Sequence, residues 1–246
     1  MKSGPCHTAP FGALPDGILL VDKPAGLTSH DVVDRIRRRF GPPKVGHAGT
    51  LDPQATGLLV IMLGRATKLA DRLMAEDKIY EGTFRLGAVT DTQDGDGRVL
   101  QERDYSAVTR ADAEREMARL TGDIMQLPPM VSALKKDGVP LYRLARKGQV
   151  VERQPRLIHV YEFALLDFQP PAGSFRVRCS KGCYVRTLCA DLGEALGCGA
   201  YLDSLRRLAS GAFQLSAAAP LAELLNLARA ELIRRIVPSP RVPLSG

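Results

Sequence analysis

The chain has no apolar run longer than the six residues Leu58–Leu63, far short of the ~20 that a membrane-spanning helix needs. Its start lacks the succession of basic stretch, apolar stretch and small-residue cleavage site that marks a secreted protein, so no secretion is expected. Cysteines are few and odd in number, at positions 6, 179, 183, 189 and 198, which does not suggest a disulfide framework. None of them forms a C-x2-C pair, so no structural zinc site is expected, and a reduced, cytoplasmic compartment is the natural reading. Internal repeats and low-complexity tracts are also missing. What remains is an ordinary globular composition, 45% hydrophobic and 25% charged over 246 residues, enough for one large domain with at most a small appendage. Residues 1–15 scatter glycine and proline without periodicity and are expected to form a flexible tail.

Charge is unevenly spread. Lysine and arginine exceed aspartate and glutamate by 34 to 27, a net +7. Seven of the basic residues (Lys135, Lys136, Arg143, Arg146, Lys147, Arg153, Arg156) fall between Leu134 and Arg156, opposed only by Asp137 and Glu152, so that segment alone nets +5. A solvated face rarely gathers so much of a molecule's charge, and the cluster reads as a footprint for a phosphate backbone.

Apolar patterning predicts strands over Ile18–Val21, Leu58–Leu63, Tyr80–Ala88, Ile158–Phe168 and Ser174–Ser180. Helices are expected over His30–Phe40, Ala66–Ala75, Ala111–Leu120, Leu141–Lys147, Tyr184–Leu196 and Leu221–Ile236. In the first helix Val32, Val33, Ile36 and Phe40 make a core stripe, with Ser29 as the expected N-cap and Gly41-Pro42-Pro43 as the stop. Thr109 should cap the third. Strands and helices mix without a βαβ rhythm, which points to an α+β fold with a largely antiparallel sheet. Asp91–Gly97 has the acidic spacing of a calcium loop but no glutamate at the required distance, so it reads as a surface turn between strands.

The most informative stretch is Gly46–Gly57, GHAGTLDPQATG. It holds one carboxylate, one imidazole, two hydroxyls and three glycines, and is expected to be neither helix nor strand. Glycine permits positive φ and Pro53 stiffens the chain after Asp52, so a rigid loop should present that carboxylate to a cleft. An isolated Asp-Pro is more simply a capping acid. Here the neighbouring motifs decide between the two.

Lys44-Val45 and the loop through Gly57 resemble the catalytic motif of the TruB family of tRNA pseudouridine synthases. Gly17–Ser29, GILLVDKPAGLTS, resembles the first motif of that family, and Lys78-Ile79-Tyr80 its tyrosine motif. Ser180–Leu188, SKGCYVRTL, and Leu205–Leu208, LRRL, resemble the next two, although Cys183 stands where relatives generally carry threonine. The blocks follow the family order across residues 17–208.

The resemblance implies a pseudouridine synthase fold, a mixed sheet flanked by helices around a central RNA-binding cleft. Residues 16–218 would be the catalytic domain, with a T-arm-binding insertion at about 122–162 that coincides with the basic cluster. Residues 219–246 would be a C-terminal helix and tail. Relatives continue into a small PUA-type domain, and the roughly 30 residues after Leu215 are too few for an independent core, so that domain is expected to be absent.

The implied reaction converts uridine-55 in the T loop of tRNA to pseudouridine without a cofactor or metal. An ionised carboxylate can attack the anomeric carbon of the sugar or take a proton from its neighbour, and Asp52 matches that role either way. Arg186 matches the arginine that pairs with the aspartate. Tyr80 matches the tyrosine that stacks on the flipped base, its hydroxyl helping to remove the C5 proton. Tyr184 and Leu205 match pocket-lining positions, Lys23 the lysine that supports the loop, and His47 a histidine used in RNA recognition. Lys135, Lys136, Arg143, Arg146 and Lys147 would hold the RNA backbone. The expected partner is the tRNA T arm, bound by a monomer without an obligate protein partner. Three rival readings are a guide-RNA-dependent enzyme of the dyskerin type, a tRNA chaperone without catalysis, and a metal-dependent hydrolase built on His47 and Asp52. The last lacks a further ligand cluster.

Overall fold

The computed structural model describes residues 14–132, 135–136, 138–141 and 151–239. Arg143, Arg146 and Lys147, and nearly all of the helix expected over 141–147, lie outside the described residues. Among the described residues no helix is long and apolar enough to cross a membrane.

An eleven-stranded mixed sheet organises the chain. β1 (Gly17–Lys23), β2 (Val45–Ala48), β3 (Thr56–Leu63) and β4 (Lys78–Leu86) come first, and a side hairpin β5 (Ala88–Thr90) with β6 (Val99–Glu102) follows. β7 (Gly122–Gln126), a small hairpin β8 (Lys135–Lys136) with β9 (Val139–Pro140), and the long pair β10 (Arg156–Gln169) and β11 (Ala172–Cys179) come next. β12 (Ala200–Ser210), β13 (Phe213–Gln214), β14 (Ala219–Pro220) and β15 (Val237–Pro238) complete the set. Through the middle the order is β14-β1-β3-β12-β4-β11-β10-β7, with β2 on β3, β13 on β12 and β15 on β1. Most pairings are antiparallel. The exceptions are β1 with β14 and a short parallel contact of β12 with β3 at Arg206↔Thr56 and Arg207↔Gly57.

Near-continuous burial along β1 and β3 fits their unbroken apolar sequence, since both faces of these strands are covered. β12 lies next to the middle of the sheet, yet no strand was expected there. Its sequence AYLDSLRRLAS hides the two-residue alternation because irregularities between Leu202 and Ser204 and between Arg207 and Ala209 shift the register against β4.

The helices are α1 (Ser29–Phe40), α2 (Ala70–Ala75), α3 (Arg110–Arg119), α4 (Val185–Ala195), α5 (Leu221–Asn226) and α6 (Arg229–Arg235). α1 buries Val32, Val33, Ile36 and Phe40 as its periodicity predicts, and Gly41 closes it at φ 64°. Its cap is Thr28 rather than Ser29: the Thr28 hydroxyl accepts from the Asp31 amide at 3.0 Å while the Asp31 carboxylate accepts from the Thr28 amide at 2.8 Å. Thr109 caps α3 through the same reciprocal pair with Asp112. The helix expected over Ala66–Ala75 is a 3-10 turn, Gly64–Leu69, running into α2.

The single helix expected over Leu221–Ile236 is instead two, bent at Leu227-Ala228. Arg39 on α1 takes up the exposed carbonyls at that bend, donating to Leu225 O at 2.9 Å and Leu227 O at 3.3 Å. The bend lets Leu221, Leu224, Leu232 and Ile236 all enter the main core with β1 and α1.

Candidate active site

The stretch around Asp52 begins as a strand, correcting the expectation for its first residues. Gly46, His47 and Ala48 belong to β2, paired with Met62, Ile61 and Val60 of β3, and only Gly49–Ala55 is loop. Gly49 turns the chain at φ +89°, where any side chain would be strained, and Gly57 does the same at φ +95° as the chain re-enters the sheet.

Between those turns the loop is tied down from three sides. The Lys23 ammonium is fully buried and donates to Pro53 O at 2.9 Å, Leu27 O at 2.7 Å and Pro24 O at 2.9 Å. The Gly26 amide also donates to Pro53 O, at 2.9 Å. The Ser29 hydroxyl, freed from capping, accepts from the Leu51 amide at 2.9 Å and donates to Leu51 O at 3.2 Å. Both neighbours of Asp52 are therefore held by α1 and the β1–α1 turn.

The carboxylate itself is 48% exposed and faces one cation directly: Arg186 Nη2 lies 3.2 Å from Asp52 Oδ2. Arg186 stands in the first turn of α4 and is only 4% exposed. Its other contacts come from two further segments, with Nη2 donating to Val131 O at 2.7 Å and Nη1 reaching Thr92 O and Asp94 Oδ2, each at 3.4 Å. Only its Nε finds no partner. Burial raises the Asp52 carboxyl above its ordinary range, Arg186 pulls it back, Asp94 pushes it up and Lys23 pulls it down.

Tyr80 on β4 is buried, and burial pushes its hydroxyl up to about 12, with Arg207 opposing the rise. Leu205, opposite Gly82, faces the same side of the sheet as Tyr80 and is partly buried against the core. Tyr184 immediately precedes α4. Gln126 clamps its backbone, accepting from the Tyr184 amide at 2.8 Å and donating to its carbonyl at 3.1 Å. Burial raises the Tyr184 hydroxyl while the neighbouring Ser132 lowers it, and the charges of Arg186 and Asp52 reach it as well. The His47 ring is pushed towards its neutral form by burial first, then by Arg207 and His30, and its Nδ1 has no partner. The structure thus joins Asp52 to Arg186 directly, brings the charge of Lys23 to Asp52 and the charges of Asp52 and Arg186 to Tyr184, and puts Tyr80 and Leu205 on one face of the β4–β12 pair, while the charge of Arg207 reaches both Tyr80 and His47. Lys135 and Lys136 form β8 in the insertion.

Two further buried cations stand under the loop. Lys78 is 6% exposed, donates to Met74 O at 2.7 Å and to Glu76 O at 2.5 Å, and is pushed down to about 8 by burial and then by Arg207. Lys23 is likewise pushed down to about 8 by burial, with Asp52 opposing and Arg207 adding to the fall. Arg207 is 1% exposed. A recess of about 470 Å³ lined by Arg72, Asp77, Ile79 and Arg178 lies away from this chemistry, because Ile79 faces the opposite side of the sheet from Tyr80. Among the described residues no group of three or more histidine, cysteine, aspartate or glutamate side chains converges on a point that could hold a metal.

A family model described as TruB family pseudouridylate synthase (N terminal domain) matches residues 37–185. The chain belongs to the TruB family. A second model, tRNA pseudouridylate synthase B C-terminal domain, matches residues 186–239, so the two matches meet at Arg186. The tRNA pseudouridine synthase B of Opitutus terrae is 52% identical over 223 residues, which is 91% of this chain and 92% of that protein. The protein of the same name from Syntrophotalea carbinolica is 52% identical over 206 residues, 84% of this chain and 67% of its own length. Among solved structures, a Cbf5-Nop10-Gar1 complex matches with a TM-score of 0.72 at 28% identity over 92% of this chain, and the chain spans about 60% of that Cbf5 chain.

Several residues of this TruB-family site escape sequence reasoning. Asp94 and Thr92 sit in the 91–97 stretch, which is indeed a turn between β5 and β6 but docks onto Arg186. Its Gln93 adopts φ 65°, accepts from the Thr187 hydroxyl at 2.7 Å and receives the Leu202 amide at 3.0 Å. Lys78, Gln126 and Arg207 were given no role, and Ser29 was expected only as a helix cap. Ser29, Lys78 and Arg207 each stand inside a motif block, whereas Gln126 carries no motif signal.

Proposed function

We propose that this chain is a cofactor-free tRNA pseudouridine synthase that converts uridine-55 in the T loop, acting alone in the cytoplasm as a monomer. The observation that carries the reading is the Asp52–Arg186 contact, a carboxylate on an anchored loop facing a buried guanidinium at 3.2 Å, in a chain of the TruB family.

Isomerisation breaks the bond from N1 of the base to the sugar, turns the base, joins its C5 to the same sugar carbon, and moves the C5 proton away. Asp52 is the group on the sugar, either as nucleophile or as base. Burial favours its protonated form, so Arg186 acts by keeping it ionised, its planar fork supplying fixed donors. Tyr80 stacks on the flipped base with its hydroxyl near the departing proton, and Tyr184 and Leu205 close the pocket. His47, pushed towards its neutral form by burial, is assigned to RNA recognition rather than proton transfer. Lys23 keeps the loop rigid. Lys135, Lys136, Arg143, Arg146 and Lys147 grip the T-arm phosphates from the insertion.

A chaperone without catalysis would need no half-exposed Asp52 carboxylate held against a buried Arg186 guanidinium. A guide-dependent reading draws on the likeness to Cbf5, yet the curated relatives at about 50% identity carry the tRNA enzyme's name. The test is pseudouridine formation in an unmodified tRNA transcript, mapped to the nucleotide, with wild-type and Asp52→Ala protein. Product at the T-loop uridine that vanishes in Asp52→Ala, with RNA binding kept, supports the reading. Tight binding without product from wild type moves the assignment to the chaperone or to a guide-dependent partner.

A further inference from the structure

Arg207 lies directly across the β12–β4 ladder from Tyr80 and is 1% exposed. Its Nε donates to Leu58 O at 2.6 Å and its Nη2 to Gly49 O at 3.2 Å. A Cβ added at Gly49 would stand 3.3 Å from Nη1, so the glycine lets the loop rest on the guanidinium. Tyr80, its cross-strand partner, lies on the same face of the sheet, and the charge of Arg207 bears on the Tyr80 hydroxyl. A guanidinium has only donors, so it can meet the phenol oxygen only as an acceptor, which leaves the hydroxyl's own proton to point elsewhere.

No carboxylate pairs with Arg207 within ion-pair distance among the described residues. Its charge also bears on Lys23 and Lys78, both buried. A strut that served packing alone would be cheaper as leucine or methionine, because a buried charge without a counter-ion is a standing penalty. Such a charge next to site residues suggests a working role.

We infer that Arg207 is a positioning residue for the reaction, one guanidinium fixing the Tyr80 hydroxyl and the Gly49 end of the Asp52 loop in a single register. The inference rests on the reading that Tyr80 and Asp52 act on a flipped uridine. Because Arg207 stands across from Tyr80 and holds the Gly49 end of the loop that carries Asp52, its loss should slow the chemical step rather than weaken tRNA binding.

The experiment is a double-substitution cycle on single-turnover pseudouridine formation, with tRNA affinity measured alongside and melting curves establishing that each variant is folded. Arg207→Lys keeps the charge but not the fork, and should slow the reaction at least ~10-fold with affinity within ~3-fold. Arg207→Gln should slow it further. In the Tyr80→Phe background, which keeps the ring and removes only the hydroxyl, Arg207→Lys should cost less than ~3-fold because the shared interaction is already gone. Equal losses in both backgrounds, or a loss confined to affinity, would make Arg207 a structural strut and overturn the inference. If Arg207→Gln does not fold, the lysine variant and its cycle decide the matter alone. Active wild type with additive losses overturns this inference only. Wild type that forms no pseudouridine overturns the functional reading and this inference with it.

Discussion

The Ser29 hydroxyl and the Leu51 backbone exchange two hydrogen bonds, 2.9 Å and 3.2 Å, linking the first turn of α1 to the residue before Asp52. Ser29 is 2% exposed, so water cannot replace either bond. Ser29→Ala leaves a buried amide and carbonyl unpaired and should cost about 1–3 kcal/mol of stability. Turnover should fall as well, since the loop loses an anchor beside the reacting carboxylate. Denaturant unfolding and single-turnover rates measure both. A destabilised variant with unchanged rate would show that Lys23 suffices to hold the loop.

The ionisation of Asp52 should be visible in the pH profile. Its carboxyl is held above the ordinary 3.8, and the proposed reaction needs the charged form, so the acid limb of the single-turnover rate should lie above 3.8. Arg186 opposes the rise, so Arg186→Gln should move that limb to higher pH and slow the reaction at every pH. Asp94 adds to the rise, so Asp94→Asn should move the limb to lower pH. A limb that stays put in both variants would mean that another group owns it.

Tyr80→Phe should leave tRNA affinity within ~3-fold while the single-turnover rate drops by at least ~100-fold, because the ring still stacks but no hydroxyl meets the C5 proton. Unchanged turnover would reduce Tyr80 to a stacking surface.

Global stability should climb between pH 8 and about 9, level off, and turn down above about 10.5. Lys23 and Lys78 lose their protons near 8 in the folded protein but near 10.5 when unfolded, so between those values the unfolded chain binds more protons and stability rises with pH. Above about 9 the opposite sign enters. The neighbouring Cys179 first and then burial raise the Cys183 thiol, and burial raises the Cys189 thiol, above their ordinary 9.0, so the folded state holds the extra protons there. Melting temperatures across this range give the curve. Lys78→Met should flatten its rising part, and an unaltered slope would remove Lys78 from the account.

Much of the site was legible because it is local in sequence. The Gly49, Pro53 and Gly57 punctuation, the apolar run of β3 and the Thr109 cap each follow from a few adjacent residues. What stayed hidden is defined by partners far away. Asp94 reads as one acid among several in a polar turn, and nothing nearby announces Arg186, 92 residues on. Arg207 finds its acceptor Leu58 at a separation of 149 residues, and β12 conceals its alternation behind two register shifts. Ser29 looked like the cap because it is one residue from Thr28 and chemically equivalent to it. Only the loop packed above decides which hydroxyl serves the helix.

The four contacts of Arg186 have one more consequence. Asp52, Thr92, Asp94 and Val131 come from three stretches of chain that meet nowhere else through this side chain, and each occupies part of one guanidinium. The arginine behaves as a logical AND: its charge is fully housed only when the Asp52 loop, the β5–β6 turn and the stretch around Val131 have all arrived. A chain folded in only two of the three places would leave that charge short of a contact and the carboxylate uncorrected. On the proposed reading, assembly and competence coincide: a chain whose sheet is complete but whose three segments have not met at Arg186 would leave Asp52 without its cation.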